Sequence, residues 1–78
     1  MSIHVRFFAS LRERVGCGEL EISAQGVANV GDVWRAAVGA ELQAPPQTLA
    51  ALNMEYCALD TPVGDGDEVA FFPPVTGG

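Results

Sequence analysis

Only one stretch of this sequence carries a sustained apolar stripe at helical spacing, and that restricts the architecture more than any other feature. Val30, Val33, Trp34, Ala37 and Val38 fall at i, i+3, i+4, i+7 and i+8, so they share one face of a helix. Asn29 stands where an N-cap belongs, with Asp32 three residues on, and Gly39 followed by Pro45-Pro46 stops the run. Elsewhere the pattern has a period of two. Residues 3–8 read as a strand in which Ile3, Val5 and Phe7 alternate with His4 and Arg6, and Leu20 and Ile22 alternate with Glu19, Glu21 and Ser23. Extended segments follow at Leu49 to Leu52, Tyr56 to Leu59 and Glu68 to Phe72, separated by the turn formers Asn53-Met54-Glu55 and Thr61 to Asp67. Ser10 to Val15 reads as a short charged helical connection, ended by Gly16 and Gly18.

One main helix among about five strands can cover only one face of a sheet, which predicts an α+β fold of two layers. A crossover from the second strand through the helix sets the first and last strands side by side at the centre, giving the β-grasp, ubiquitin-like roll with a mixed sheet. The body is expected over residues 1–72 and an extended tail over 73–78. With 78 residues there is room for one domain and none for a second module carrying a deep pocket.

Ten acidic residues stand against four basic ones, all arginine, for a net charge of −6 with no lysine in the chain. That balance repels phosphate backbones and anionic lipid, so nucleic acid and membrane are excluded as expected partners and a basic protein face is favoured. No apolar run is long enough to span a bilayer, and the first residues lack a signal-peptide pattern. Cys17 and Cys57 are too few for a disulfide framework and too far apart for a CxxC motif. A cytoplasmic chain with reduced thiols is expected.

The usual catalytic constellations are missing. A single histidine, His4, reads as solvated surface, and no nucleophile motif, Gly-rich phosphate loop or metal set is present. Cys17 reads as an exposed loop thiol without a base, Cys57 as buried filler, and Trp34 as core. Asp65-Gly66-Asp67-Glu68 reads as a solvated turn, since the remaining ligand positions of a calcium loop are absent. No metal and no cofactor are expected on this chain. Phe8 breaks the alternation and puts an aromatic ring on the polar face, either packed by a neighbour or awaiting a partner. The last strand runs into Pro73-Pro74, where pairing must stop, and Val75-Thr76-Gly77-Gly78 completes a stalk of roughly 20 Å. Two terminal glycines would present a bare α-carboxylate on a chain thin enough for a narrow tunnel.

At these residues the sequence resembles the MoaD family, the small subunit of molybdopterin synthase. Asp65 through Gly78 resembles that family's C-terminal signature, and Val5-Arg6-Phe7-Phe8-Ala9 with Leu11-Arg12-Glu13 resembles its first strand and turn. The resemblance implies a sulfur carrier that is not an enzyme on its own. A MoeB-like activating enzyme, using ATP and magnesium, would adenylate Gly78. Sulfur would displace AMP to leave a thiocarboxylate, and the large MoaE-like subunit would use it to build the dithiolene from cyclic pyranopterin monophosphate. It further implies a heterotetramer of two small and two large subunits. Phe8 and Phe72 match family positions that form a hydrophobic docking patch, and Tyr56 stands at a third position that is usually aliphatic. The acids from Asp65 to Glu68 would complement a basic partner. The alternatives are a ThiS-like carrier for thiamine thiazole or another sulfur pathway, a ubiquitin-like protein modifier, and a plain interaction module.

Overall fold

The computed structural model describes residues 1–39 and 48–73. Pro45-Pro46 and the tail residues Pro74, Val75, Thr76, Gly77 and Gly78 lie outside the described residues. The elements are β1 (Ser2–Phe7), α1 (Ser10–Val15), β2 (Glu19–Ser23), α2 (Val30–Val38), β3 (Leu49–Leu52), β4 (Glu55–Cys57) and β5 (Glu68–Phe72). The strands form one mixed sheet in the order β2-β1-β5-β3-β4. β1 and β5 pair in parallel at the centre, with Phe7 opposite Phe71, and every other pairing is antiparallel. This is the β-grasp arrangement expected from one helical stripe among alternating segments.

Two boundaries differ from the sequence reading. The first strand stops at Phe7 because Ala9, with φ 53° and ψ −130°, swings the chain into α1. The fourth strand covers Glu55 to Cys57, not Tyr56 to Leu59. Asn53 and Met54 alone make the preceding turn, both at positive φ, which frees Glu55 to pair with Leu52. After Cys57 the chain turns back, with the Ala58 N–H donating to Thr61 Oγ1 at 3.1 Å.

The core lies between the sheet and α2. Ile3, Val5 and Phe7 from β1 and Val69 and Phe71 from β5 meet Val30, Val33 and Trp34 from the helix, and Leu11 of α1 closes one end. Trp34 is core, as its place in the stripe predicts. Its ring stands edge-on to Phe71 at 5.1 Å and to Phe7 at 5.8 Å between centroids, while Phe7 and Phe71 stack at 5.9 Å. Each such ring contributes about 1.5–3 kcal/mol through burial, and edge-to-face pairs add to it.

Polar contacts fix the ends of the elements. Asn29 caps α2 by accepting from the Asp32 N–H at 2.9 Å, and Asp32 in return accepts from the Ala28 N–H at 3.0 Å. The Val30 and Gly31 N–H groups, which a helix start leaves without intrahelical partners, donate to the Thr61 and Leu59 carbonyls. Asn53 brackets the start of β5. Its N–H donates to the Glu68 carbonyl at 2.8 Å and its Oδ1 accepts from the Glu68 N–H at 2.9 Å. The acidic turn is structural: Asp67 accepts from Gly64 N–H and Asn53 Nδ2, and Asp65 accepts from Ser2 N–H at 2.8 Å. Gly66, at φ 86°, makes the bend that this requires.

These contacts have a pH signature. The Asn53 side chain and then the Gly64 N–H hold the Asp67 carboxyl below its usual 3.8, and the Ala28 N–H followed by Arg35 does the same for Asp32. Both groups bind protons less readily folded than unfolded. Their stabilisation is therefore complete above the unfolded carboxylate value and is lost as pH falls through the lower folded values. Urea unfolding from pH 6 to 2.5 should show a fall in midpoint that is shallower in the Asp32→Asn, Asp67→Asn double variant, which starts from a lower midpoint at pH 6. In the same assay Phe71→Ala should cost about 3–5 kcal/mol, the penalty for a large cavity under α2.

Candidate functional site: the open face of the sheet

Both central strands carry a Phe-Phe doublet at the same level, and alternation along a strand sends the two rings of each doublet to opposite faces. Phe7 and Phe71 enter the core, while Phe8 and Phe72 emerge on the face that α2 leaves open. The Phe8 N–H donates to the Phe71 carbonyl at 3.1 Å, which extends the parallel ladder one residue beyond β1 and holds Phe8 beside the last strand. Phe8 and Phe72 meet edge-on at 6.0 Å, and Tyr56 from edge strand β4 meets Phe72 at 5.6 Å. The structure thus brings the three rings named from the sequence into one row, with Phe72 in the middle. Phe8 is 40% exposed and Tyr56 73%. Phe8 answers both possibilities raised by its break in the pattern: it is packed by neighbours and still presents a ring to solvent. Pro73 follows Phe72 directly, so β5 ends at the middle ring of the row.

Charged groups occupy the rest of this face. His4 is partly exposed on this face, in keeping with its reading as solvated surface, and it has charged neighbours. It lies between Glu19 of β2, 3.8 Å from Nε2, and Glu68 of β5, 3.9 Å from Nδ1. Arg6 reaches the same two carboxylates at 4.0 and 3.7 Å, and its guanidinium carbon lies 5.2 Å above the Phe8 ring. A cation over the ring and between two acids braces Phe8.

Met54 and Arg6 are the residues of this face that the sequence reading missed. Met54 sits in the β3–β4 turn, 90% exposed, and lines the same depression as Tyr56 and Phe72. Its only sequence signal is a large apolar residue where a tight turn ordinarily places glycine.

The two thiols are free and half-buried. Cys17 is packed against the core rather than exposed, contrary to its reading as an open loop thiol, because the loop after α1 folds inward beside Leu20 and Val15. A larger depression between α1 and the loop that follows it is lined by Cys17, Arg12 and Glu13, and no histidine stands in it to act as a base. Burial pushes the Cys57 thiol up, against a weaker opposing hydrogen bond from Thr61, which leaves it un-ionised at neutral pH. Among the described residues no group of three or more His, Cys, Asp or Glu gathers to hold a metal ion, and no helix is long and apolar enough to cross a membrane.

Comparison with known proteins gives these features a context. Residues 5–78 match the ThiS family. The chain is 42% identical over 85 residues to the molybdopterin synthase sulfur carrier subunit of Escherichia coli, covering 97% of this chain and 99% of that one. It is 33% identical over 84 residues to small archaeal modifier protein 1 of Haloferax volcanii, covering 94% and 97%. The crystal structure of that modifier aligns at a TM-score of 0.80 over 100% of both chains, with 31% identity. A chain in a complex of subunits 1 and 2 of molybdopterin-converting factor from Helicobacter pylori aligns at 0.62 over 100% of both, with 28% identity.

The aromatic row stands outside the core, so removing it should leave the fold in place. Phe8→Ala and Tyr56→Ala are expected to lower stability by about 1 kcal/mol or less, read by thermal unfolding, against the much larger loss for Phe71→Ala.

Proposed function

The chain belongs to the ThiS family, and on that premise we propose that it is the sulfur-carrying small subunit of a molybdopterin synthase. The observation that carries this reading is the likeness to the E. coli sulfur carrier subunit across 97% of the chain. The geometry suits it. An aromatic row at the root of the tail gives a partner something to grip, and the described residues hold no catalytic cluster of their own.

In the proposed cycle a Gly78 carboxylate oxygen attacks the α-phosphorus of ATP in a MoeB-like enzyme, with magnesium neutralising the phosphates, and pyrophosphate leaves. Sulfide sulfur then bonds to the acyl carbon as the bond to AMP breaks, and AMP departs with the electron pair. When the sulfur arrives as a persulfide, a thiol reductant cleaves the remaining S–S bond to the donor. The resulting thiocarboxylate enters the pocket of a MoaE-like large subunit and supplies sulfur for the dithiolene of molybdopterin. Gly77, Thr76, Val75, Pro74 and Pro73 form the thin segment that reaches into that pocket, and Phe8, Tyr56 and Phe72 dock the body. The H. pylori complex of subunits 1 and 2 supports a large-subunit partner. Two small and two large subunits make up the proposed assembly, which works in the cytoplasm.

A second reading, a ubiquitin-like modifier, draws on the H. volcanii relative. A chain without lysine offers no ε-amine to its own kind, so this one would attach singly to other proteins and not build chains of itself.

Intact mass separates the readings. Incubation with an activating enzyme, ATP and sulfide should raise the mass by the replacement of one oxygen with sulfur at the C-terminus, and removal of Gly78 should abolish it. A truncated chain that still supports full pterin sulfuration would reject the carrier role. Phe8→Ala with Phe72→Ala should weaken binding to both the activating enzyme and the large subunit by about tenfold or more.

A further inference from the structure

β2 forms one outer edge of the sheet, paired with β1 on one side and, among the described residues, with no strand on the other. Two contacts just beyond the ladder set the phase of its hydrogen bonds. The Phe7 N–H donates to the Gly18 carbonyl at 2.9 Å and the Ala24 N–H to the Met1 carbonyl at 3.4 Å, and both pairs continue the register that sets Ser2 opposite Ser23 and Arg6 opposite Glu19. Bonded and non-bonded pairs alternate along an antiparallel ladder, so Leu20 and Ile22 turn their backbone groups toward β1. Glu19, Glu21 and Ser23 aim theirs outward, where no backbone group among the described residues receives them.

Native sheets blunt such an edge with proline, a bulge, a lysine or a covering segment. This strand, Glu19-Leu20-Glu21-Ile22-Ser23, has no proline and no lysine, and its pairing with β1 runs without a bulge. The edge also keeps apolar surface in reserve. Leu20 and Ile22 pack against the core, yet both stay half-buried at its margin. A strand laid along β2 would fill the outward backbone groups and cover these two residues with its own alternate side chains.

The other face of β2 decides what that strand is made of, because residues that pair directly share a face. Glu19 already lies 3.8 Å from His4 and 4.0 Å from Arg6. Glu21 is exposed and has no ion pair among the described residues, since His4, its cross-strand partner, turns its ring to Glu19 and Glu68. Glu21 therefore attracts a cation. It also rejects a second copy of the chain. Two β2 edges paired antiparallel about Glu21 would set that carboxylate against itself, between molecules of net charge −6.

We propose that the outer edge of β2 accepts an extended segment of another protein in which apolar residues alternate with lysine or arginine. The apolar residues close over Leu20 and Ile22, and a basic one meets Glu21. The site lies on the edge of the sheet opposite β4 and Tyr56, so it can be filled while the aromatic row is engaged, and it stands apart from the carrier reading.

The probe is a synthetic peptide of alternating valine and lysine, titrated into the isotope-labelled full chain and followed by amide NMR shifts. Shifts should concentrate on residues 19–23, with a dissociation constant of about 0.1–1 mM for so small a contact. A peptide of alternating valine and glutamate should bind about tenfold more weakly or worse. Glu21→Lys should reverse that order, which a merely structural residue would not do. Glu21→Pro removes an N–H that points away from β1, so the chain should stay folded and lose the lysine peptide. Shifts that fall on the aromatic row instead, no shifts up to about 5 mM peptide, or equal affinity for the two peptides overturns the proposal. So does an unchanged preference for the lysine peptide in Glu21→Lys, and that variant decides should Glu21→Pro fail to fold. A concentration-dependent dimer in sedimentation that Glu21→Pro abolishes assigns the edge to a second copy and overturns the occupant proposed here.

Discussion

The parallel pairing of β1 with β5 is the contact on which the rest of the molecule depends. It sets Phe7 opposite Phe71, and that level of the sheet is where both faces do their work. Inside, the two rings meet Trp34 and fix the helix to the sheet. Outside, the next residue of each strand supplies Phe8 and Phe72. Core and aromatic row are thus built from the same two doublets, separated by the thickness of a strand. Any loss of this pairing removes the seat of α2 and the aromatic row together.

Such doublets create a register problem, because a strand shifted by one residue would still offer a phenylalanine to each face. The neighbours resolve it. In the observed register Val69 is fully buried while Glu68 and Ala70 face outward. A shift by one would bury a carboxylate and expose a valine, and a buried unpaired charge costs far more than the rings could return. Asn53 adds a second lock by bonding both backbone groups of Glu68. The acids of the turn, which look like solvated surplus in the sequence, are what time the start of the last strand.

Much of this was legible in the sequence because it is local. Period-two alternation located β1, β2 and β5, and the stripe from Val30 to Val38 with Asn29 before it located α2 to the residue. Phe8 announced itself by standing on the wrong face. What the sequence did not show depends on strands far apart in the chain. His4 acquires its two glutamates from β2 and β5, which only the folded sheet brings to either side of β1. Cys17 looked like an open loop thiol because the inward fold of its loop is set by β1 and β2 together. Met54 was read as an ordinary turn residue, since nothing local says that the turn faces the aromatic row. The boundary of β4 moved for the same reason: the two-residue turn closes early to satisfy pairing with β3.

Parallel central strands also give the body two unlike poles. Ser2 begins β1 beside the Asp65 turn, and Pro73 leaves at the far end of β5. Strands of this length, 6 and 5 residues, separate those points by about 20 Å at the usual rise per residue. A label, a carrier domain or a solid support joined ahead of Met1 would hang from the pole opposite the aromatic row. The protein can be held by its blunt end while the aromatic row at the other end stays uncovered.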